Sequence, residues 1–138
     1  MSSNMKDVTR EMMVSEFNTA MGQAVGIPYN PQALKLRMDL ILEEVKELAD
    51  EVATARGECS NLSPVSDDTK EKILKELCDV MYVVSGFAVT FGLPVQPAFV
   101  RVHNSNMSKL VDGKPVKNSS GKVMKGENYS PPTMKGLL

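Results

Sequence analysis

The chain has 138 residues, of which 42% are hydrophobic and 24% charged, and its formal net charge is −1. This is the size of one domain with enough apolar mass for a core, and the net charge disfavours a dedicated nucleic-acid binder. The charge is unevenly spread: residues 39–79 hold twelve acids and five bases, whereas residues 101–138 hold seven bases and two acids.

Composition excludes several further classes of protein. The chain has no Trp and only 5% aromatic residues, which disfavours binding of single-stranded nucleic acid by base stacking. Cys59 and Cys78 make no disulfide framework, and the single His103 leaves no histidine-based metal cluster. No apolar run reaches the length of a membrane span, and acids among the first 25 residues argue against a signal peptide. We therefore expect a cytoplasmic protein with no nucleic-acid or membrane partner.

Helical periodicity begins near the N-terminus. Apolar residues recur at three- and four-residue steps over residues 7–25, which predicts a first helix that ends at Gly26 and Pro28. Asn30 followed by Pro31 is typical of a helix start, with a capping side chain and then a proline in the first turn.

The second predicted helix has the most regular apolar stripe in the chain. Its steps alternate between four and three residues, which predicts packing along its length against other helices. Arg56 and Gly57 predict its end. The stripe consists of Leu34, Met38, Ile41, Val45, Leu48, Val52 and Ala55.

Two further helices follow a loop over residues 57–67. Asp68 with Glu71 resembles a capping box and predicts a third helix that runs to about Phe91. Pro97 predicts the start of a fourth helix to about Leu110, with Phe99 and Val102 as its core contacts.

Turn residues dominate the last part of the chain. Asp112-Gly113 permits a short hairpin, and we otherwise expect an irregular tail. The predicted fold is all-α, of the four-helix-bundle type with an irregular C-terminal tail. Residues 1–110 form the helical part of the domain in this interpretation, and residues 111–138 are a basic tail of the same domain.

Two pairs of acidic residues occupy matching positions on the second and third helices. Glu44 and Glu47 lie one turn apart on one flank of the apolar stripe, and Glu76 and Asp79 have the same relation to the stripe of their helix. If the helices pack antiparallel, the four carboxylates converge and require protons or cations. Oxygen ligands alone indicate Mg²⁺, with Mn²⁺ as the alternative.

These acids have two other interpretations. They can be solvated helix faces that pair with Lys46, Lys72 and Lys75 at helical spacing. A calcium loop is the other, but the sequence has no spaced Asp/Asn/Gly ligand pattern.

These residues carry a resemblance to a known family. Glu43-Glu44-x-x-Glu47 followed by Glu76-x-x-Asp79 resembles the signature of the all-α nucleoside triphosphate pyrophosphohydrolases, and more specifically of short, phage-type MazG-like proteins. The segments 15–23, 102–109 and 121–132 resemble other motifs of that family. A phage-encoded member would act in the host-cell cytoplasm.

The resemblance implies a reaction and a set of residues for it. A metal-activated water attacks the α-phosphorus of a nucleoside or deoxynucleoside triphosphate, which yields the monophosphate and pyrophosphate. Glu44, Glu47, Glu76 and Asp79 are then the metal ligands. Glu43 is a further catalytic residue, and its more outward angle fits either a role in support of the ligands or a contact with a neighbouring subunit.

Substrate contacts are assigned to residues outside the acidic pairs. Lys109 and Lys125 are candidates for contacts with the polyphosphate, and Asn106 and Tyr129 for contacts with phosphate, sugar or base. Two residues of the first motif are candidates for base recognition, namely Asn18, where relatives often have histidine, and Gln23.

Oligomeric state and function each leave an alternative open. The apolar stripes of the long helices are only partly covered in so small a chain, which predicts a homodimer or homotetramer. The alternatives to triphosphate hydrolysis are a non-catalytic helical interaction module, or the same hydrolase acting on an alarmone or a phosphoribosyl nucleotide.

Overall fold

The computed structural model describes residues 8–60 and 62–138. In these residues it contains four α-helices and two short strands, and the prediction of an all-α fold is confirmed. The chain divides into two compact units, one ending at Leu93 and one spanning Pro94–Leu138. Within the described residues, no helix taken singly has both the length and the hydropathy needed to cross a membrane. The elements are α1 (Arg10–Ala20), α2 (Pro31–Ser60), α3 (Asp67–Phe91), α4 (Val95–Met107), β1 (Val116–Lys117) and β2 (Val123–Met124).

Helix α1 is shorter than the periodicity predicts. It begins after Thr9, whose hydroxyl accepts a hydrogen bond from the backbone N–H of Met12 at 3.1 Å. It ends at Ala20, because Gly22 adopts a left-handed conformation with φ of +68°. The extension to residue 25 was therefore wrong. The following backbone instead bonds to the end of α3, where Gly26 donates to the carbonyl of Val89 at 3.0 Å.

Helix α2 begins where the sequence predicts and ends later. The side chain of Asn30 accepts a hydrogen bond from the backbone N–H of Ala33 at 2.9 Å, which confirms Asn30 as the cap. The predicted end at Arg56-Gly57 was wrong, because Gly57 is not in a left-handed conformation and the helix continues to Ser60. A glycine costs a helix only about 1 kcal/mol, which packing against a neighbouring helix readily offsets.

Side chains from the end of α2 and the start of α3 accept backbone hydrogen bonds in the connection between these two helices. Ser66 accepts a hydrogen bond from the backbone N–H of Thr69 at 3.2 Å and is the N-cap of α3, so the expected Asp68–Glu71 capping box was wrong. Glu58 near the end of α2 accepts from the backbone N–H of Ser66 at 3.2 Å. Hydrogen bonds from Thr69 and Ser66 lower the pKa of Glu58. This contact ties the end of α2 to the start of α3.

Removal of this cap tests its contribution to stability. Ser66→Ala is expected to lower the free energy of unfolding by about 1 kcal/mol, because the backbone N–H of Thr69 in the first turn of α3 loses its acceptor, the Ser66 hydroxyl. Chemical denaturation monitored by circular dichroism measures the change. Ser63→Ala, at an exposed serine of the same connection, is the control and should leave the unfolding midpoint unchanged.

Helices α2 and α3 pack against each other in antiparallel orientation. Arg37 near the start of α2 lies beside Gly86 near the end of α3, and a Cβ added to Gly86 would be 3.4 Å from Nη1 of Arg37. At the other end Glu58 contacts Ser66. Helix α1 packs on α3, with the rings of Phe17 and Tyr82 edge to face at 5.6 Å.

Only half of the apolar stripe on α2 is covered within one chain. Its members at every seventh position from Leu34 are half-buried. Those at every seventh position from Met38 are more exposed, and Val45 remains 44% exposed. The predicted packing along the whole stripe is therefore only partly present in the single chain.

The C-terminal unit differs from its predicted form in the bounds and packing of α4. The helix begins at Val95 rather than Pro97, because a proline in the first turn lacks only an N–H that has no helical partner. It ends at Met107 rather than Leu110. Phe99 is 62% exposed and Val102 38% exposed, so their assignment as core contacts was wrong.

Residues after α4 form two hairpins, and the segment that follows them folds back on that helix. The hairpin predicted at Asp112-Gly113 is confirmed, with both residues at positive φ as a two-residue type I′ turn requires. β1 and β2 form a second antiparallel pair that the sequence did not predict. The hydroxyl of Ser105 donates to the carbonyl of Ser130 at 2.8 Å. This segment is therefore built onto α4.

Candidate metal centre

Four acidic side chains meet where α2 and α3 pack together. One carboxylate oxygen each from Glu44, Glu47, Glu76 and Asp79 lies within 4.8 Å of the others. The antiparallel packing brings the two pairs face to face, since each pair has its members one turn apart on its helix. The convergence expected from the sequence is present in the structure.

The cluster has unsatisfied acceptors that fit a cation. Oε2 of Glu44 and Oε2 of Glu76 are buried atoms without a hydrogen-bond partner in the described part of the chain. Burial raises the pKa of Glu44, and so do a hydrogen bond with Glu47 and the charges of Glu47, Asp79 and Glu76. Buried carboxylate oxygens are costly without a donor or a metal ion. An all-oxygen donor set of this kind suits Mg²⁺ or Mn²⁺.

Of the three lysines expected at helical spacing from these acids, one contacts the cluster and two pair with acids outside it. Lys75 contacts the cluster, with its Nζ 2.7 Å from Oδ2 of Asp79 and 3.4 Å from Oε1 of Glu76, and this pairing raises the pKa of Lys75. Lys46 and Lys72 pair instead with Asp50 and Asp68, outside the cluster. Because the Lys75 side chain is 63% exposed, solvent screens its charge and it neutralises the cluster only in part.

Glu43 is not part of the convergence. It is exposed on α2 next to Glu44, as its outward helical angle predicts. Among the described residues, the group that could hold a metal contains the other four acids and not Glu43.

The two candidates from the first motif line a separate pocket of the same unit. Asn18 is only 1% exposed, and its Nδ2 donates to the carbonyl of Ala24 at 3.1 Å. The backbone N–H of Gln23 donates to the carbonyl of Asn18 at 2.7 Å, and Oε1 of Gln23 accepts from Nη2 of Arg37 at 3.3 Å. The structure thus brings Asn18 and Gln23 together around a cavity of about 210 Å³.

Arg37 lines this pocket and is a site residue that was not predicted from the sequence. It is buried, at 8% exposure. A sequence signal was available, because Arg37 precedes Glu44 by seven residues and therefore lies on nearly the same side of α2. A charged residue on that flank, two turns before an acidic pair, is a candidate site residue.

The remaining candidates lie in the C-terminal unit. Asn106 is exposed on α4 and Lys109 is half-buried just after it. Nζ of Lys125 lies 4.8 Å from the ring centroid of Tyr129, a cation–π geometry. The backbone of Gly126 passes close to Lys109, since an added Cβ would be 2.9 Å from the Lys109 carbonyl oxygen. This unit therefore groups Lys109, Lys125 and Tyr129 in one region.

The fold and the acidic cluster define the class of the protein, and sequence comparison defines its family. A helical chain in which four carboxylates from its two long helices meet belongs to the class of all-α proteins with an acidic cluster of a kind that can hold a metal ion. Residues 14–106 match the model of the phosphoribosyl-ATP pyrophosphohydrolase family, and the chain belongs to that family. The matched range includes all four clustered acids.

A viral relative is similar over part of its length. The chain is 33% identical over 98 residues to an uncharacterized protein of Acanthamoeba polyphaga mimivirus, which is 66% of this chain and 34% of the viral protein. The chain thus spans about a third of that relative.

Proposed function

We propose that the protein hydrolyses nucleoside or deoxynucleoside triphosphates to the monophosphate and pyrophosphate in a Mg²⁺-dependent reaction. The observation that carries the proposal is the meeting of four carboxylates with two buried, unpartnered oxygens, in a chain of a pyrophosphohydrolase family. Mg²⁺ neutralises polyphosphate charge and lowers the pKa of a bound water, which supplies a nucleophile at neutral pH.

Each group of residues has a role in this proposal. Glu44, Glu47, Glu76 and Asp79 hold the metal, and Glu43 assists from the exposed side of α2. Lys109 and Lys125 contact the polyphosphate, and Asn106 and Tyr129 orient the phosphate, sugar or base. Positive groups at the leaving pyrophosphate stabilise the charge that develops there. Lys75, already beside Asp79, would have to move or be displaced when the cation binds.

A second substrate class is favoured by the family match. The family is named for phosphoribosyl-ATP, a nucleotide that carries a triphosphate group as the nucleoside triphosphates do. Hydrolysis of a phosphoribosyl nucleotide would use the same acids and differ only at the base end. Within the wider superfamily we assign the chain to the short MazG-like type, because of the Glu43-Glu44-x-x-Glu47 and Glu76-x-x-Asp79 pattern.

We also propose that the protein acts as a homodimer or homotetramer in the cytoplasm. The exposed half of the α2 stripe supports the assembly, because Met38, Val45 and Val52 are each more than a third exposed. A second helix seated on them would remove this apolar surface from water.

A nucleotide panel tests the proposed activity. Purified protein is incubated with the ribo- and deoxyribonucleoside triphosphates and with phosphoribosyl-ATP, each with Mg²⁺, Mn²⁺ or EDTA, and the products are separated by chromatography. Paired release of monophosphate and pyrophosphate with Mg²⁺, and none with EDTA, supports the proposal. Release of orthophosphate, or no turnover with any substrate, would show that the cluster does not catalyse this reaction.

A further inference from the structure

Arg37 is a buried cation whose charge has no acidic partner in the described part of the chain. Its one side-chain hydrogen bond there is to Oε1 of Gln23, at 3.3 Å from Nη2. A guanidinium has five N–H donors in a fixed planar fork and accepts none. No Arg37 nitrogen is among the buried side-chain atoms that lack a hydrogen-bond partner in the described residues, so its remaining donors reach the open space of the adjoining cavities. These free donors are therefore available to a ligand with acceptor atoms.

The cavity beside Arg37 has the lining of a site for a small organic ligand. Its walls are mostly apolar and include the edge-to-face rings of Phe17 and Tyr82. Gly86 leaves room next to the guanidinium, where a side chain would contact Nη1. A neighbouring cavity of about 360 Å³ shares Gln23 and Arg37. Apolar walls with a few fixed polar groups are typical of small-molecule sites and unsuited to a fully hydrated phosphate.

The position of the cavity relates it to the acidic cluster. Arg37 precedes Glu44 by seven residues on α2, which is about 10 Å along the helix axis at 1.5 Å per residue. On α3, Val83 and Gly86 of the cavity follow Asp79 by one and two turns. A nucleotide whose phosphates lie at the acids can therefore place its base in the cavity.

We infer that Arg37 is a specificity-determining residue that recognises the base of the nucleotide by its acceptor edge. The inference rests on the proposed function. Guanine offers two adjacent acceptors, O6 and N7, that match the guanidinium fork, whereas the 6-amino group of adenine is a donor that opposes it. Gln23 holds the guanidinium in orientation through its side-chain carbonyl. The site thus favours guanine nucleotides over adenine nucleotides, and hence a guanosine triphosphate over phosphoribosyl-ATP, which is itself an adenine nucleotide.

Binding of nucleosides without metal tests this inference separately from catalysis. Guanosine and adenosine are titrated into the whole metal-free protein and followed by NMR chemical shifts, and kcat/KM is measured for GTP and ATP. For the wild type we expect a guanine preference of about tenfold or more in both measurements, the range of one bidentate contact. Arg37→Gln and Arg37→Lys are both expected to reduce this preference to near one, since lysine keeps the charge and loses the fork.

Controls separate base recognition from a structural role of Arg37. Arg56→Gln removes an exposed arginine of the same helix and should keep the guanine preference. If the Arg37 variants do not fold, as judged from melting curves, Gln23→Glu replaces them, because a carboxylate at that position engages the guanidinium and competes with the base. It is expected to lower guanosine affinity while the protein stays folded.

The outcomes decide the inference independently of the proposed hydrolysis. A wild type that favours adenine, or folded Arg37 variants that keep the wild-type ratio, would overturn it. So would shifts at the cavity with inorganic phosphate and none with guanosine, which would make it an anion site. A protein that binds guanosine through Arg37 but hydrolyses no nucleotide would sustain the inference on the pocket and refute the hydrolysis.

Discussion

Glu44→Gln and Asp79→Asn are each expected to lower Mg²⁺-dependent pyrophosphate release by roughly a thousandfold. Each change removes one charged ligand from a cluster whose oxygens lie within 4.8 Å of one another. A correctly held metal contributes several kcal/mol to the transition state, and about 4 kcal/mol corresponds to a thousandfold in rate. Initial rates from a coupled pyrophosphate assay, at saturating substrate and over a range of Mg²⁺ concentrations, measure the loss.

Matched controls make this result interpretable. Glu71→Gln and Asp50→Asn make the same chemical changes at exposed positions of α3 and α2 outside the cluster, and both should keep nearly full activity. Melting temperatures of all four variants show whether each one folds. Activity within tenfold of wild type in a folded Glu44→Gln protein would contradict the assignment of Glu44 as a metal ligand.

Glu44→Gln is also expected to stabilise the metal-free protein at neutral to alkaline pH. Burial and the surrounding acids raise the pKa of Glu44 in the folded state above its ordinary value of 4.5. A raised carboxyl pKa means that the ionised form is less stable folded than unfolded, so stability falls as pH rises through the folded pKa. Glutamine at this position does not ionise and avoids that loss.

The same cluster predicts that Mg²⁺ stabilises the wild type much more than the Glu44→Gln variant. A cation that binds only the folded state stabilises it by about 2.7 kcal/mol at a hundred times its dissociation constant, which is a rise of several degrees in Tm. We expect this rise in the wild type and little of it in Glu44→Gln, so Mg²⁺ reverses the order of the two melting temperatures at pH 8. Scanning calorimetry at pH 5 and pH 8, with EDTA or with Mg²⁺, measures all four states.

Two outcomes would contradict this account. Equal melting temperatures of the wild type with and without Mg²⁺ would mean that the acids do not form a cation site. A metal-free Glu44→Gln protein that melts below the wild type at pH 8 would mean that the acids are not under repulsion. Glu71→Gln is again the control, and should follow the wild type in both conditions.

The sequence alone determined the helices and the local arrangement of the acids. A spacing of three residues on a helix places Glu44 beside Glu47, and Glu76 beside Asp79, whatever the rest of the chain does. Two other features also depend only on residues near in sequence. The start of α2 depends on the capping side chain of Asn30. The turn at Asp112-Gly113 depends on two residues that tolerate positive φ.

Helix ends were predicted less well where contacts from elsewhere decide them. Gly57 predicts the end of the helix, yet α2 continues to Ser60, and Glu58 accepts a hydrogen bond from the backbone of Ser66. The apolar periodicity predicts that α1 extends to residue 25. The helix ends at Ala20 instead, and the backbone N–H of Gly26 donates to the carbonyl of Val89 near the end of α3. Neither partner is near in sequence, so a local pattern contains no information about it.

Only the tertiary structure decided which side chains share a site. The antiparallel packing of α2 on α3 turned two local pairs of acids into one cluster, and the same packing put Arg37 beside Gly86 and Gln23 at one end of the helix pair. Helical periodicity fixes the angle of a residue around its own axis and leaves its distance from other helices undetermined. The closeness of the four acids, on which their charge repulsion and their proposed cation affinity depend, therefore comes from packing.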